Sequence, residues 1–281
     1  MRSFRYRNLL RPLGLLAAAY LAIMGIMMLL EESLLFYPVP YPEGESWEPR
    51  GLTFEDAWFS AADGVRLHGW FVPHEQARAV VLFCHGNAGN VTHWADTLWT
   101  LHNQVGVSVL SFDYRGYGRS EGSPNEPGMY ADARAARAWL ASRTGKREEE
   151  IVLMGRSLGG AVAVELAAVD GAKGLVLEST FSSVPDVAAS IYRWLPVRWL
   201  IRNRFDAVGR ISGYRGPLLQ SHSETDEIVP YSFARRLFEQ ANEPKQLITL
   251  RGVGHNDPQT PAYYEALVRF LDGLADAGAI E

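Results

Sequence analysis

The sequence is short of cysteine, of net positive charge and of repeated or low-complexity segments. Its 281 residues contain a single cysteine, Cys84, which excludes an internal disulfide. Histidine, cysteine and carboxylate residues do not occur at a zinc-ligand spacing such as H-E-x-x-H, so the sequence predicts neither a metal site nor a cofactor. A net charge of −5 gives no electrostatic signature of nucleic-acid binding. The length and the 47% of hydrophobic residues are typical of one large α/β domain, or at most two small ones.

Charged residues are also missing from one long N-terminal stretch. Residues 12–30 contain none, and as a helix this stretch would extend about 28 Å, close to the thickness of the hydrocarbon layer of a membrane. Arginines precede the stretch and glutamates follow it: Arg2, Arg5, Arg7, Arg11, Glu31 and Glu32. The positive-inside rule then predicts a transmembrane anchor, with the N-terminus in the cytoplasm and the rest of the chain on the exterior or periplasmic side.

A cleaved signal peptide is the main alternative to an anchor, and a buried core helix is the second. The apolar region of a signal peptide usually runs for about 7 to 15 residues and ends at an A-x-A-like site. This stretch is longer and continues into MMLLEESLLFYP without such a site, while its arginines and its terminal position argue against a core helix. The sequence therefore favours an uncleaved single-pass anchor.

The chain divides into four expected parts: a basic N-terminus at 1–11, the anchor at 12–30, a connector at 31–50 and a globular domain at 51–281. Residues 34–51 are rich in proline, which disfavours both helix and central strand, so we expect an ordered, extended chain there. Its aromatic residues suit a membrane–water interface, although they suit packing against the domain equally well. They are Phe36, Tyr37, Tyr41 and Trp47.

Strand-like and helix-like segments alternate along the domain. Asp63-Gly64 separates two alternating apolar runs and predicts an antiparallel hairpin. Continuous apolar strands follow at 79–84, 107–112, 150–154, 174–178, 217–222 and 245–250. Helices are expected between them, near 92–104, 127–142, 158–169, 230–241 and 260–275. This order indicates a mostly parallel sheet with helices on both faces, whose functional residues collect at the carboxyl ends of the strands.

The segment MGRSLGG, at 154–160, lies where an apolar strand is expected to meet a helix. A serine flanked in this way is typical of a nucleophile elbow, because small residues let the strand and the helix approach closely around a sharp turn. Gly155 and Gly159 are those small residues, and Ser157 is the candidate nucleophile. The motif alone is a weak signal, since a serine that caps an ordinary helix has the same sequence.

Four further motifs follow other strands: HGNAGN (85–90), DYRGYGRSEG (113–122), HSETDEIVP (222–230) and GVGHND (252–257). With the serine motif they resemble the α/β-hydrolase superfamily over residues 50 to 275, in which the chain order of the triad is serine, acid, histidine. The resemblance implies an α/β-hydrolase fold with a mostly parallel, eight-stranded sheet. It also implies Ser157 as nucleophile, Asp226 as acid and His255 as the base that takes the serine proton and returns it to the leaving group.

Three other carboxylates compete with Asp226 for the role of the acid: Glu178, Glu224 and Glu227. Glu178 has weight because it ends a strand where some α/β-hydrolases carry their acid. Asp226 is favoured because HSETDEIVP resembles the family segment H-G-x-x-D-x-x-V-P. The sequence departs from that segment at Ser223, where glycine is usual, and this departure concerns the turn rather than the acid.

By the same resemblance, the oxyanion donors are the backbone N–H groups of Leu158 and Asn87. His85 then braces the oxyanion loop and does not act as the base. The DYRGYGRSEG segment is expected to frame the pocket without a catalytic role for its charged and aromatic residues, which are Asp113, Tyr114, Arg115 and Arg119.

Residues 181–212 form an insert, and in this family an insert before the acid-bearing loop commonly forms a cap that shapes substrate choice. The insert has five arginines against two aspartates, a local charge of +3 on a chain of net charge −5. Trp194 and Trp199 lie next to arginines, as in segments that bind a membrane surface. An ordinary cap helix packed over the pocket, with solvated or paired arginines, is equally compatible with this pattern.

An anchored hydrolase with such a cap resembles the membrane-bound α/β-hydrolase domain proteins of the serine aminopeptidase-like and lysophospholipase-like branch. The resemblance implies a serine esterase or thioesterase that cleaves acyl lipids or lysophospholipids at a membrane, with no nucleic-acid partner. A serine peptidase or amidase of the same fold is the first alternative. A catalytically silent, membrane-tethered binding module is the second.

Overall fold

The computed structural model of the chain describes residues 3–42, 49 and 51–277, so Arg2 and Trp47 of the expectations above lie outside the described residues. Helix α1 (Ser3–Leu29) contains Pro12–Leu29, the one segment of the described chain that is long and apolar enough to cross a membrane. The expected N-terminal apolar helix is therefore present. Its length and composition fit a membrane anchor or a signal sequence.

Eight of the strands form one sheet, and two short strands form a separate pair. The strands are β1 (Tyr37–Pro38), β2 (Glu55–Ser60), β3 (Arg66–Val72), β4 (Val80–Cys84), β5 (Ala88–Gly89), β6 (Ser108–Phe112), β7 (Val152–Arg156), β8 (Gly174–Glu178), β9 (Leu218–Ser223) and β10 (Lys245–Leu250). The sheet order is β2-β3-β6-β4-β7-β8-β9-β10. The hairpin strands β2 and β3 are antiparallel, β3 is antiparallel to β6, and the other pairs are parallel. The predicted eight-stranded, mostly parallel sheet is confirmed.

Helices cover both faces of this sheet. They are α2 (Glu31–Leu35), α3 (Ala95–Thr100), α4 (Glu126–Thr144), α5 (Leu158–Asp170), α6 (Val184–Ile191), α7 (Val197–Leu200), α8 (Ala207–Arg210), α9 (Tyr231–Gln240) and α10 (Pro261–Ala277). The single helix expected near 92–104 is instead a 3-10 turn, α3 and a π-helical turn in succession. The Asn90 side chain caps the first turn by accepting from the N–H of Thr92, and left-handed Gly106 follows the last one.

The core consists of two apolar layers, one on each face of the sheet, because consecutive residues of a strand point to opposite faces. Leu82 and Leu153 pack on the face covered by α4 and α5. Val81 and Val152, their neighbours along the same strands, pack on the face covered by α3 and α10. The central strands are therefore buried on both faces, which explains their continuous apolar sequences.

The connector begins as a helix and not as the extended chain that its prolines predicted. α2 covers the segment EESLL, which precedes the first proline of the connector and carries acidic residues in its first turn, where they favour a helix. Phe36 is buried in the core, whereas Tyr37 is half exposed. β1 then pairs with β5, and Tyr41 packs edge-on against His68, so the described aromatics of the connector contact the domain.

Candidate active site

The serine motif forms the sharp turn between β7 and α5. Ser157 has φ 52° and ψ −117°, a conformation that costs a residue with a side chain about 1–3 kcal/mol. Its N–H donates to the carbonyl oxygen of Glu178 at 2.9 Å. A Cβ at Gly159 would overlap the carbonyl oxygen of Cys84, so only glycine fits where α5 begins against the end of β4. The surrounding backbone therefore holds the strained serine in place.

The side chains of Ser157, His255 and Asp226 meet at the carboxyl edge of the sheet. His255 Nε2 lies 3.0 Å from Ser157 Oγ, and His255 Nδ1 lies 2.7 Å from Asp226 Oδ2. The three residues come from the loops that follow β7, β10 and β9, respectively. With its proton on Nδ1, the imidazole can donate to the carboxylate and accept from the serine hydroxyl.

The carboxylate of Asp226 is shielded from solvent, yet several donors surround it. Its Oδ1 accepts from the N–H groups of Ile228 at 3.0 Å and Val229 at 2.7 Å. Burial alone would raise the pKa of Asp226, but the hydrogen bonds from His255 and Val229 hold that pKa below its usual range. Asp226 is therefore ionised at neutral pH, as a partner of an imidazolium must be.

His222 also contacts Asp226, a contact that the motifs do not predict. Its buried Nε2 lies 2.9 Å from the carbonyl oxygen of Val229 and 3.3 Å from Asp226 Oδ2. Burial lowers the pKa of His222, so the ring is neutral and donates through Nε2. The sequence shows only that His222 begins the motif HSETDEIVP. A loop sequence does not indicate the direction in which the His222 side chain points.

The three competing carboxylates have other environments. Glu178 is buried and burial raises its pKa, while Glu224 is exposed and pairs with an arginine at the surface. Glu227 accepts from the backbone N–H of His255 at 3.1 Å. Of the four candidates, Asp226 is the one hydrogen-bonded to the His255 ring among the described residues.

Arg156, the unspecified residue of the G-x-S-x-G pattern, holds the histidine loop. Its Nη2 donates to the carbonyl oxygens of His255 at 2.7 Å and of Asp257 at 2.8 Å. Because Arg156 ends β7 directly before Ser157, one backbone segment positions both the hydroxyl and the loop that carries the imidazole. The sequence does not reveal this role of Arg156, since nothing in the motif constrains the residue type at that position.

The two expected oxyanion donors line the same cleft as Ser157. Leu158 is the first residue of α5, where an N–H group has no partner within its helix. Asn87 is held from two sides. The hydroxyl of Tyr117 donates to its carbonyl oxygen at 2.7 Å, and its own side-chain amide donates to the carbonyl oxygen of Leu35 in α2. The connector therefore contacts the oxyanion loop directly.

His85 is buried beneath this loop. Its Nδ1 donates to the carbonyl oxygen of Gly86 at 2.7 Å, and its ring packs against Tyr114 with a centroid distance of 4.6 Å. Burial lowers its pKa, which keeps the ring neutral. In the DYRGYG segment, Arg115 is likewise buried and donates to Asp132 at 2.8 Å, so this segment holds the loops together.

Apolar side chains line most of the cleft in front of Ser157, which has a volume of about 430 Å³. They come from the connector, the insert and the loop after β9, and include Leu34, Leu35, Val184, Val187, Ala188, Ile191 and Val229. Within residues 3–42, 49 and 51–277, no group of three or more histidine, cysteine or acidic residues is placed to hold a metal ion.

Comparison with known proteins agrees with this geometry. A model of the Alpha/beta hydrolase family matches residues 81–274, a range that includes the serine, aspartate and histidine described above. The chain belongs to this family. The chain is 38% identical over 278 residues to the uncharacterized protein Rv2307c of Mycobacterium tuberculosis, covering 95% of this chain and 98% of that relative.

The chain is also similar to a plant protein and to solved structures. The chain is 31% identical over 244 residues to the alpha/beta hydrolase domain-containing protein WAV2 of Arabidopsis thaliana, covering 79% of each chain. The structure of the Pyrococcus furiosus esterase Pf2001 matches with a TM-score of 0.66 at 19% identity, covering 84% of this chain and 99% of that one. The α/β-hydrolase fold is thus confirmed.

Proposed function

We propose that this alpha/beta hydrolase is a serine hydrolase that cleaves carboxylic esters or thioesters through Ser157, His255 and Asp226. The observation that carries the proposal is the continuous set of contacts from the serine hydroxyl through the imidazole to a shielded carboxylate, at 3.0 and 2.7 Å. A serine hydroxyl is a weak nucleophile at its free pKa and needs such a base. The esterase of the same fold supports this reaction class.

The reaction proceeds through an acyl-enzyme. Ser157 Oγ attacks the acyl carbonyl carbon while His255 Nε2 takes the hydroxyl proton, and the N–H groups of Leu158 and Asn87 donate to the resulting oxyanion. Nε2 then gives its proton to the leaving oxygen or sulfur as that bond breaks. A water molecule, deprotonated by Nε2, attacks the acyl-serine and releases the carboxylic acid. Asp226 keeps the imidazole in one tautomer and stabilises the imidazolium.

The substrate class follows from the lining of the cleft. Apolar side chains of α2 and α6 flank Ser157, whereas the polar groups are concentrated at the nucleophile itself. Such a cleft favours an aliphatic acyl group over a polar one, because each buried methylene contributes about 0.8 kcal/mol. We therefore propose acyl lipids, such as lysophospholipids, as the substrates.

We also propose that α1 stays attached as a membrane anchor with its N-terminus in the cytoplasm. Besides the arginine bias, the support is that the residues after α1 belong to the domain: Phe36 is buried and β1 pairs with β5. The intact mass of the purified protein should include residue 1, and the protein should stay with the membrane after alkaline carbonate washing. A mature mass lacking α1 would contradict the anchor.

The proposed chemistry is tested by a fluorophosphonate probe, which reacts with activated serines. The wild type should be labelled, and Ser157→Ala should lose labelling and about 10⁴-fold or more of its ester hydrolysis. Ser123→Ala, which removes an exposed serine in a loop, is the matched control and should react like the wild type. An unlabelled wild-type protein, beside a labelled control hydrolase, would favour the binding-module hypothesis.

Substrates that differ only in their leaving group distinguish an esterase from an amidase. Matched substrates with one acyl chain and an ester, thioester or anilide bond should give the highest kcat/KM for the ester or thioester. A preference for the anilide would contradict the esterase proposal while leaving the nucleophile assignment in place.

A further inference from the structure

The end of α1 packs against the insert, which we call the cap (residues 181–212), through contacts far apart in sequence. The hydroxyl of Tyr20 donates to the carbonyl oxygen of Trp194 at 3.0 Å, and the two rings lie 6.2 Å apart. Glu31 is buried and accepts from the backbone N–H groups of Arg202 at 2.9 Å and Asn203 at 2.8 Å. Its carboxylate also pairs with the Arg202 guanidinium at 3.0 Å. These contacts fix the cap beside the last third of α1.

An apolar groove follows this junction and adjoins the cleft at Ser157, with which it shares lining residues. Met27 and Met28 of α1 line its far end, and Leu35 and Ala188 line both the groove and the cleft. The groove has a volume of about 110 Å³. This is smaller than the apolar cavity of roughly 150 Å³ that accommodates benzene in another protein, so the groove suits a narrow aliphatic chain better than a ring or a headgroup.

The depth of the cap along α1 places this groove at the level of the lipid. Tyr20 lies nine residues before the end of α1, which is about 14 Å along the helix. If α1 crosses the bilayer, Tyr20 and the residue it contacts, Trp194, both lie within the hydrocarbon layer. The cap exposes large apolar side chains, with Ile191 at 61%, Trp194 at 59% and Trp199 at 89% of their surfaces accessible. Arg193 and Arg198 are exposed beside them, and their long side chains can extend toward lipid headgroups. A tip of this kind suits lipid tails better than water.

We propose that the groove between α1 and the cap binds the acyl chain of a single-chain lipid, which reaches Ser157 sideways from the outer leaflet. This inference rests on the proposed function, because it concerns the substrate of the same serine. It assigns to the membrane helix a second task, that of forming one wall of the acyl-binding site.

The orientation of a leaflet lipid matches that of the groove. The Met27 end lies within the span, and the Ser157 end lies beyond it, on the side of the domain. A lipid of the outer leaflet has its methyl end toward the bilayer centre and its ester at the interface. Its carbonyl can therefore move to Ser157 without the molecule turning over, and its chain passes from lipid to protein without exposure to water.

The first test compares acetyl, octanoyl and palmitoyl p-nitrophenyl esters with the full-length protein in detergent micelles. Met27→Trp fills the far end of the groove, and Ile26→Trp, its neighbour on the exposed side of α1, is the matched control. We expect Met27→Trp to lower kcat/KM for the palmitoyl ester about 10-fold or more and to leave that for the acetyl ester within about twofold, because Met27 does not line the cleft at Ser157. Ile26→Trp should leave the chain-length profile unchanged.

The outcomes separate the groove from the proposed function. If Met27→Trp keeps the chain-length profile of the wild type, with acetyl-ester hydrolysis intact, the groove proposal is overturned and the serine hydrolase proposal stays in place. A wild-type protein that neither hydrolyses the acetyl ester nor reacts with the fluorophosphonate would overturn the proposed function itself.

A second test does not depend on turnover. Full-length Ser157→Ala in phosphatidylcholine nanodiscs is irradiated with lysophosphatidylcholine that carries a diazirine at the end of its acyl chain. Cross-links are expected at residues 27–35 and 184–192, and Met27→Trp should reduce them, whereas Ile26→Trp on the exposed side of α1 should not. Cross-links confined to the exposed side chains of α1, such as Leu15 and Leu16, would contradict the groove.

Discussion

The Ser157 cleft and the groove beside it form two ends of the proposed substrate site, and they are built in different ways. At the Ser157 end, polar groups that directly follow strands meet at 2.7 and 3.0 Å around a strained backbone. At the far end, apolar side chains of α1 and the cap pack loosely enough to leave a groove, and buried Glu31 supplies the charged contact there. One end fixes a single geometry, and the other offers only shape and apolar surface.

This difference indicates where the two proposed properties, ester cleavage and acyl-chain recognition, would reside in the protein. Proton transfer requires atoms within hydrogen-bond distance, so a displacement of about 1 Å at the first end is costly. An acyl chain is recognised by area and can shift along a groove at little cost. Substitutions at the first end should therefore act on kcat, whereas substitutions at the second should act on stability and chain preference.

Among the substitutions that test this difference, the largest effect on kcat is expected at Asp226. Asp226→Asn should lower kcat about 10⁴-fold, because the amide favours the wrong tautomer of His255. Glu224→Gln, two residues earlier in the same loop and exposed at the surface, is the control and should retain wild-type activity. Steady-state kinetics on a short acyl ester measure both variants, and a loss below about tenfold in Asp226→Asn would remove that residue from the mechanism.

A smaller effect is expected where Glu31 joins the anchor and the cap. Burial opposes the ionisation of Glu31, but its contacts with Asn203 and Arg202 hold its pKa below the usual 4.5. Because the folded pKa is lowered, the stabilisation is complete above about pH 4.5 and is lost as the pH falls through the folded pKa. Glu31→Gln should therefore lower the free energy of unfolding by about 1–3 kcal/mol at pH 7.

The pH dependence sharpens the test of Glu31. Thermal unfolding in micelles should show a gap between the wild type and Glu31→Gln at pH 7 that narrows as the pH falls below about 4.5. Exposed Glu32 provides the matched control, since Glu32→Gln should unfold at the same temperature as the wild type at every pH. A gap that stays constant on acidification would show that the carboxylate charge of Glu31 is not what holds the cap.

The smallest effect is expected at Glu178, although this residue lies next to the site. Burial raises the pKa of its carboxyl group, with Arg156 opposing, so a neutral amide is a close substitute. Glu178→Gln should keep kcat on a short ester within about threefold. If Glu178→Gln lowered kcat as much as Asp226→Asn, Glu178 rather than Asp226 would be the acid of the triad.

Much of the fold was predictable because its signals are local. Apolar runs between turn residues located β4 and β6 to β10 to within two residues, and Asp63-Gly64 identified the hairpin. The connector was predicted less well, since the run EESLL is helical before the prolines begin. The motif order also placed Ser157, Asp226 and His255 each in a loop that follows a strand, and their catalytic roles stay a prediction.

By itself, the sequence determined the sheet, the serine turn and the apolar N-terminal helix, because each depends on residues close together in the chain. Only the tertiary structure decided that Asp226, rather than its neighbours, faces His255, and that His222 and Arg156 support the pair. It alone brought Glu31 to Arg202, a contact that spans 171 residues. No periodicity encodes such a contact, since it arises from how distant segments pack their surfaces.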